Sequence, residues 1–113
     1  MRKIAEREKS VILYLFNKAG LVCDLALLTV EPMPDGGMGS LRITSNETAE
    51  QRFRESAAEC CFKDIDGVPV IASLNLDQHS QPFEVDVWKI DYSELQRWPQ
   101  LDEIGDVQPQ YIQ

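Results

Sequence analysis

Apolar positions near the N-terminus recur at three- and four-residue spacing. Ile12, Leu15, Phe16 and Ala19 share one side, with Arg7, Lys9, Asn17 and Lys18 away from most of them. That period predicts an amphipathic helix over residues 5–19. Gly20 suits the left-handed position beyond a helix end, and Lys18 in the last turn favours the helix dipole. From residue 25 the period changes. Leu25-Ala26-Leu27-Leu28-Thr29-Val30-Glu31 reads as a first strand, largely buried on both faces. Pro32 and Pro34 end it, since neither can donate to a ladder. Residues 35–40, with glycines at 36, 37 and 39, read as a turn, and residues 41–44 as a second strand. Residues 45–57 stay open: Ser45 and Asn46 suit a helix cap, whereas Arg52-Phe53-Arg54 alternates like a strand.

Residues 58–92 alternate most clearly, and Ile65-Asp66-Gly67 tests their register. A two-residue turn would place Lys63 opposite Val70 and Glu59 opposite Leu74. A three-residue turn with Gly67 left-handed pairs Asp64 with Val68 instead, setting Phe62 against Val70, Cys60 against Ala72 and Ala58 against Leu74. The second register gathers apolar side chains on one face and is preferred. A following hairpin pairs Leu76 with Phe83, Leu74 with Val85 and Ala72 with Val87, around a loop at residues 77–82. One face of this meander is therefore apolar, and the N-terminal helix is its natural cover. The fold expected is α+β: an N-terminal helix packed on one face of an antiparallel sheet of about five strands. A short helix is expected around Glu94-Leu95-Gln96-Arg97. Residues 1–97 read as one domain, and 98–113 as a loosely docked or frayed tail.

Composition narrows the class. With 113 residues, 43% hydrophobic and 27% charged, the chain supports one core without a metal or disulfide staple. No apolar run approaches the roughly 18–20 residues that a membrane-spanning helix needs. The charged N-terminus has no small-residue cleavage site after its apolar stretch, which points to the cytoplasm. Cys23, Cys60 and Cys61 are odd in number and lack zinc spacing, so they read as reduced thiols. Residues 1–20 carry five basic and two acidic groups; the remainder carries six and seventeen, for −8 overall. That balance disfavours nucleic acid as the main partner and accommodates a basic protein. The basic helix and the acidic sheet also permit a homodimer.

Candidate chemistry is sparse. The glycines at 36, 37 and 39 lack the Lys and the following helix of a phosphate-binding loop. His79 and Ser80 are adjacent in a polar loop, which supplies neither an oriented triad nor an oxyanion hole. Glu84 and Asp86 share one strand face, as a carboxylate pair or as solvated acids. No catalytic residue, metal ligand or cofactor is assigned. Trp88, with Ile71 as its cross-strand neighbour, falls on the face away from the core, beside that acidic zone. It reads either as an interface anchor or as the centre of a second small core under residues 93–113 or 45–57.

Three stretches resemble a family of small bacterial domains of unknown function: Arg2-Lys3 with Glu6-Arg7-Glu8, Gly36-Gly37-Met38-Gly39-Ser40-Leu41-Arg42, and residues 83–93 around Trp88-Lys89. Where such sequences carry Ser-Pro-Leu, this chain has Ser93-Glu94-Leu95. The resemblance extends loosely to acidic immunity proteins that neutralise toxins, and it implies no catalytic residues. The expected function is a non-enzymatic acidic protein-binding module contacting its partner through Trp88, Glu84, Asp86 and Ile71. The alternative is a small-ligand-binding or regulatory domain with a pocket between sheet and helix.

Overall fold

The computed structural model describes residues 2–22, 24–44 and 50–107. Its regular elements are α1 (Lys9–Lys18) and six strands among the described residues: β1 (Arg2–Lys3), β2 (Thr29–Pro32), β3 (Leu41–Ile43), β4 (Phe53–Lys63), β5 (Pro69–Asp77) and β6 (Pro82–Lys89). The strands form one antiparallel sheet in the order β1-β2-β3-β6-β5-β4. The fold is α+β as expected, with six strands rather than about five. The additional strand is the N-terminus, where Arg2 and Lys3 pair with Val30 and Thr29. Two charged residues carry no alternation, so only the distant partner strand reveals them.

The helix begins later than its apolar period suggests. Residues Glu6–Glu8 form a single 3₁₀ turn before α1. The Glu8 carboxylate accepts the Ala5 N–H at 2.8 Å and receives the Arg2 guanidinium through two contacts of 2.8 Å. The strand expected over 25–31 is corrected more sharply. Leu25–Leu27 is a 3₁₀ turn capped by Asp24, and β2 starts only at Thr29. Leu27 is 76% exposed. An apolar run without alternation cannot distinguish a turn from a strand by period alone. Of the open segment 45–57, residues 53–57 are strand, while 45–49 lie outside the described residues.

The hairpins follow the side-chain pattern closely. Phe62 faces Val70, Cys60 faces Ala72 and Ala58 faces Leu74. The turn is closed by the Asp64 N–H on the Val68 carbonyl (3.0 Å) and the Gly67 N–H on the Asp64 carbonyl (2.9 Å). Between β5 and β6, Leu74–Val85 and Ala72–Val87 pair as expected, but Leu76 lies opposite Pro82 rather than Phe83. A register shift after Asn75 accounts for the difference. The Asp77 carboxylate then organises the loop, accepting the His79 and Gln81 N–H groups at 2.8 and 3.0 Å.

The apolar face of β4, β5 and β6 packs against Val11, Ile12, Leu15 and Phe16 of α1. After Tyr92 the chain returns on this same side, with Leu95, Trp98 and Ile104 packed against the core. Residues 94–97 carry no regular secondary structure, so the short helix expected there does not form. Three α1 side chains at four-residue spacing hold the returning segment. Ser10 donates to the Pro99 carbonyl (2.6 Å), Tyr14 to Asp106 (3.3 Å), and Lys18 to both Asp106 (2.8 Å) and the Glu59 carbonyl (2.7 Å). Gly105 exchanges two backbone bonds with Cys61 on the outer side of β4, at 2.8 and 2.9 Å. Residues 108–113 of the expected tail lie outside the described residues.

Gly67 tests this account of the β4–β5 turn. Its φ is +80°, and a methyl group there would meet nothing within 4 Å. Gly67→Ala should therefore destabilise through backbone strain alone, by about 1 kcal/mol. The urea midpoint would fall while the hairpin register persists. An unchanged midpoint would show that the left-handed turn is not required.

Candidate functional site

The sheet face opposite α1 is built by the odd-and-even alternation of its strands. Register places Glu31, Arg42, Glu84 and Asn75 in one cross-strand row, and Asp86, Ser73 and Glu59 in the next. Trp88, Ile71 and Cys61 form a third. The four residues expected to form the partner surface thus share one face, with Glu84 and Asp86 beside the Trp88–Ile71 pair, but Ile71 itself is buried, at 7% exposure. The described elements packed on the sheet core, α1 and the Leu95, Trp98 and Ile104 side chains, lie on the other face. Tyr92 leans on the indole, with ring centroids 6.2 Å apart and planes tilted by 55°. Trp88 is half-buried, and its Nε1–H is enclosed without an acceptor among the described residues.

The acids on this face differ in setting. Glu84 accepts the Asn75 amide at 2.8 Å. Asp86 receives the Ser40 hydroxyl at 3.3 Å. Partial burial raises the Asp86 carboxyl above the ordinary range; the Ser40 bond opposes this, and nearby Glu84 and Asp35 reinforce it. Ser40 also accepts the Val87 N–H at 2.8 Å, so its hydroxyl serves as a ladder partner just before β3 begins.

The remaining candidates resolve into structural roles. His79 is exposed, and the nearby Asp77 carboxylate is occupied by loop N–H groups and the Gln51 amide (2.9 Å). Ser80 accepts Arg54 at 2.8 Å. These contacts do not assemble a nucleophile and base. The glycine-rich loop does cradle an anion, but one of its own: Asp35 receives the Met38 and Ser40 N–H groups at 3.1 and 2.8 Å. Burial alone would raise the Asp35 carboxyl, yet the Ser40 and neighbouring loop bonds hold it below the ordinary range. Among the described residues, no group of three or more His, Cys, Asp or Glu side chains is placed to hold a metal ion.

One cluster escaped the sequence reading. Lys89 continues the inward series Phe83, Val85 and Val87, and its side chain is fully buried. Its ammonium donates to Asp64 (2.9 Å), Asp66 (2.6 Å) and the Glu94 carbonyl (3.1 Å). Asp64 also accepts the Ile65, Gln96 and Arg97 N–H groups at 2.7, 2.8 and 3.1 Å. Burial alone would raise the Asp64 carboxyl; the Gln96 N–H and then the Lys89 ammonium outweigh it and lower the net value. For Lys89, burial pulls downward while Asp66 and Asp64 pull harder upward. Parity along β6 was the available signal, because 89 shares the inward phase of 83, 85 and 87.

Together these features define an α+β domain with one sheet face packed by helix and returning chain, and the other carrying acids beside an aromatic zone. The chain belongs to the family described as Domain of unknown function (DUF6984), whose sequence model matches residues 1–99. No match was found among curated proteins or among solved structures.

The buried cluster makes a pH prediction. Asp64 titrates below its ordinary value of 3.8, so its contribution is complete above that pH and is lost as pH falls through the folded value. Lys89 titrates above its ordinary 10.5, so its contribution is complete below that pH and is lost as pH rises through the folded value. Lys89→Met, which strands two carboxylates, should lower the thermal midpoint at pH 7 by about 10 °C or more. Asp64→Asn should flatten the loss of stability below pH 4. A wild-type midpoint and acid limb in both variants would contradict the assignment.

Proposed function

We propose that this domain is a non-enzymatic protein-binding module that docks a basic protein surface on the open sheet face. In this reading it is immunity-like, acting by occupying its partner, and it works in a reducing, cytoplasmic setting in bacteria. The supporting observation is the juxtaposition of Glu84 and Asp86 with Trp88, which sits over the buried Ile71 row, on a face that α1 leaves free. Carboxylates on this face outnumber cations, with Glu31, Glu59, Glu84 and Asp86 against Lys3, Arg42 and Lys63. Such a surface steers a basic partner and loses its rate advantage in salt. A half-buried Trp gives the contact an apolar anchor.

Charge pairing favours a foreign partner over a second copy. Arg2, Lys9 and Lys18 of the basic N-terminal region are engaged within the chain by Glu8, Glu6 and Asp106. Of the five cations there, Lys3 and Arg7 have no ion pair among the described residues, so three of the five are already matched within the chain. The free thiols Cys60 and Cys61 suit a reducing compartment. Burial pushes the Cys60 thiol up to about 12, which keeps it inert.

The test compares two baits in a pull-down from source-cell lysate: wild type and the Glu84→Lys/Asp86→Lys double variant. The expected result is one basic protein retained at low salt by wild type alone and released at high salt. Trp88→Ala should then weaken its binding by about 2 kcal/mol or more in calorimetry. Trp88→Phe, which removes the unpaired N–H, controls for folding. Equal retention by both baits would defeat the proposal, as would Trp88→Ala binding like wild type.

A further inference from the structure

Two of the three stretches that carry the family resemblance meet at one place, the rim between the start of α1, the glycine-rich loop and the returning segment. A cleft of about 570 Å³ lies there, lined by Arg7, Leu13, Trp98, Pro99 and Leu101 among others. A second cleft of about 200 Å³ shares Arg7 and Trp98 and extends to Arg2, Asp35 and Gly39. The larger volume falls within the roughly 300–1,000 Å³ of small-molecule sites. The Trp98 ring enters because position 39 is glycine: a Cβ there would stand 3.1 Å from the indole, on a backbone with φ +107°.

Charge at this rim is distributed unevenly. Glu8 is taken by Arg2, Glu6 by Lys9 at 2.8 Å, and Asp35 by its own loop N–H groups. Arg7 lines both clefts, is exposed, and has no ion pair among the described residues. A guanidinium presents five donors in a planar fork that matches a carboxylate. Arg2 and Lys9 line the same clefts but are held by Glu8 and Glu6, which leaves Arg7 as the cation there without an acidic partner among the described residues. Leu13, Leu101 and Trp98 supply apolar surface next to that fork.

We propose that this composite cleft is a binding site for an amphipathic small-molecule monocarboxylate, its carboxylate on Arg7 and its apolar body against Trp98, Leu13 and Leu101. The site stands apart from the open sheet face and does not depend on the protein-binding reading. The experiment uses the full chain carrying Trp88→Phe, which leaves Trp98 as the single tryptophan. Phenylacetate and hexanoate are titrated against its fluorescence, beside phenylacetamide and hexanamide.

Saturable binding of the carboxylates is expected, weakened about tenfold or more by Arg7→Gln and by the change from acid to amide. Leu101→Asp, at a half-exposed position on the far wall, should abolish binding with circular dichroism unchanged. Absence of saturation by either carboxylate would overturn the proposal. So would equal affinity for acid and amide, or wild-type affinity in folded Arg7→Gln protein.

Discussion

The buried pairing of Lys89 with Asp64 joins the end of β6, the β4–β5 turn and the returning segment. The three donors of the Lys89 ammonium are matched by two carboxylates and a carbonyl, so none of its protons is left unpaired inside. The partners come from two regions far apart along the chain. Asp64 and Asp66 belong to the β4–β5 turn, and Glu94 opens the segment that returns over the core. A polar contact thereby sets where that turn sits and where the returning chain begins its path. Burial makes the arrangement demanding, since removal of one member leaves charge stranded in a low dielectric.

Much of the fold was legible because strand alternation is strict wherever one face is buried. The β4–β5 register followed from Phe62, Cys60 and Ala58 alone, and Gly67 adopts the left-handed backbone that register demands. The β5–β6 register failed by one residue at Leu76, because a register shift is invisible to a pattern of apolar positions. β1 was hidden for a different reason: two charged residues pair only because Val30 and Thr29 are presented to them. Trp88, Ile71, Glu84 and Asp86 were correctly placed on one face by parity. The same parity placed Lys89 inward, but composition rules treat lysine as a surface residue. Its burial becomes legible only when the acids of a preceding turn are counted with it.

The glycine-rich loop shows how one local chemistry serves different ends. Successive N–H groups in a tight turn attract an anion. Here the Asp35 carboxylate is that anion, and the loop is thereby fixed in shape. With the loop satisfied internally, Gly39 is free to admit the Trp98 ring, and the rim of the helix acquires its cleft.

The borders of the sheet carry a further consequence. At one border stands β1, only two residues long. At the other, β4 is interrupted by two register shifts, bridged by Gly105 at Cys61, and has its Glu59 carbonyl occupied by Lys18. Neither margin offers a long, straight row of vacant backbone groups on which another chain could template itself. Growth of the sheet from molecule to molecule is thereby discouraged.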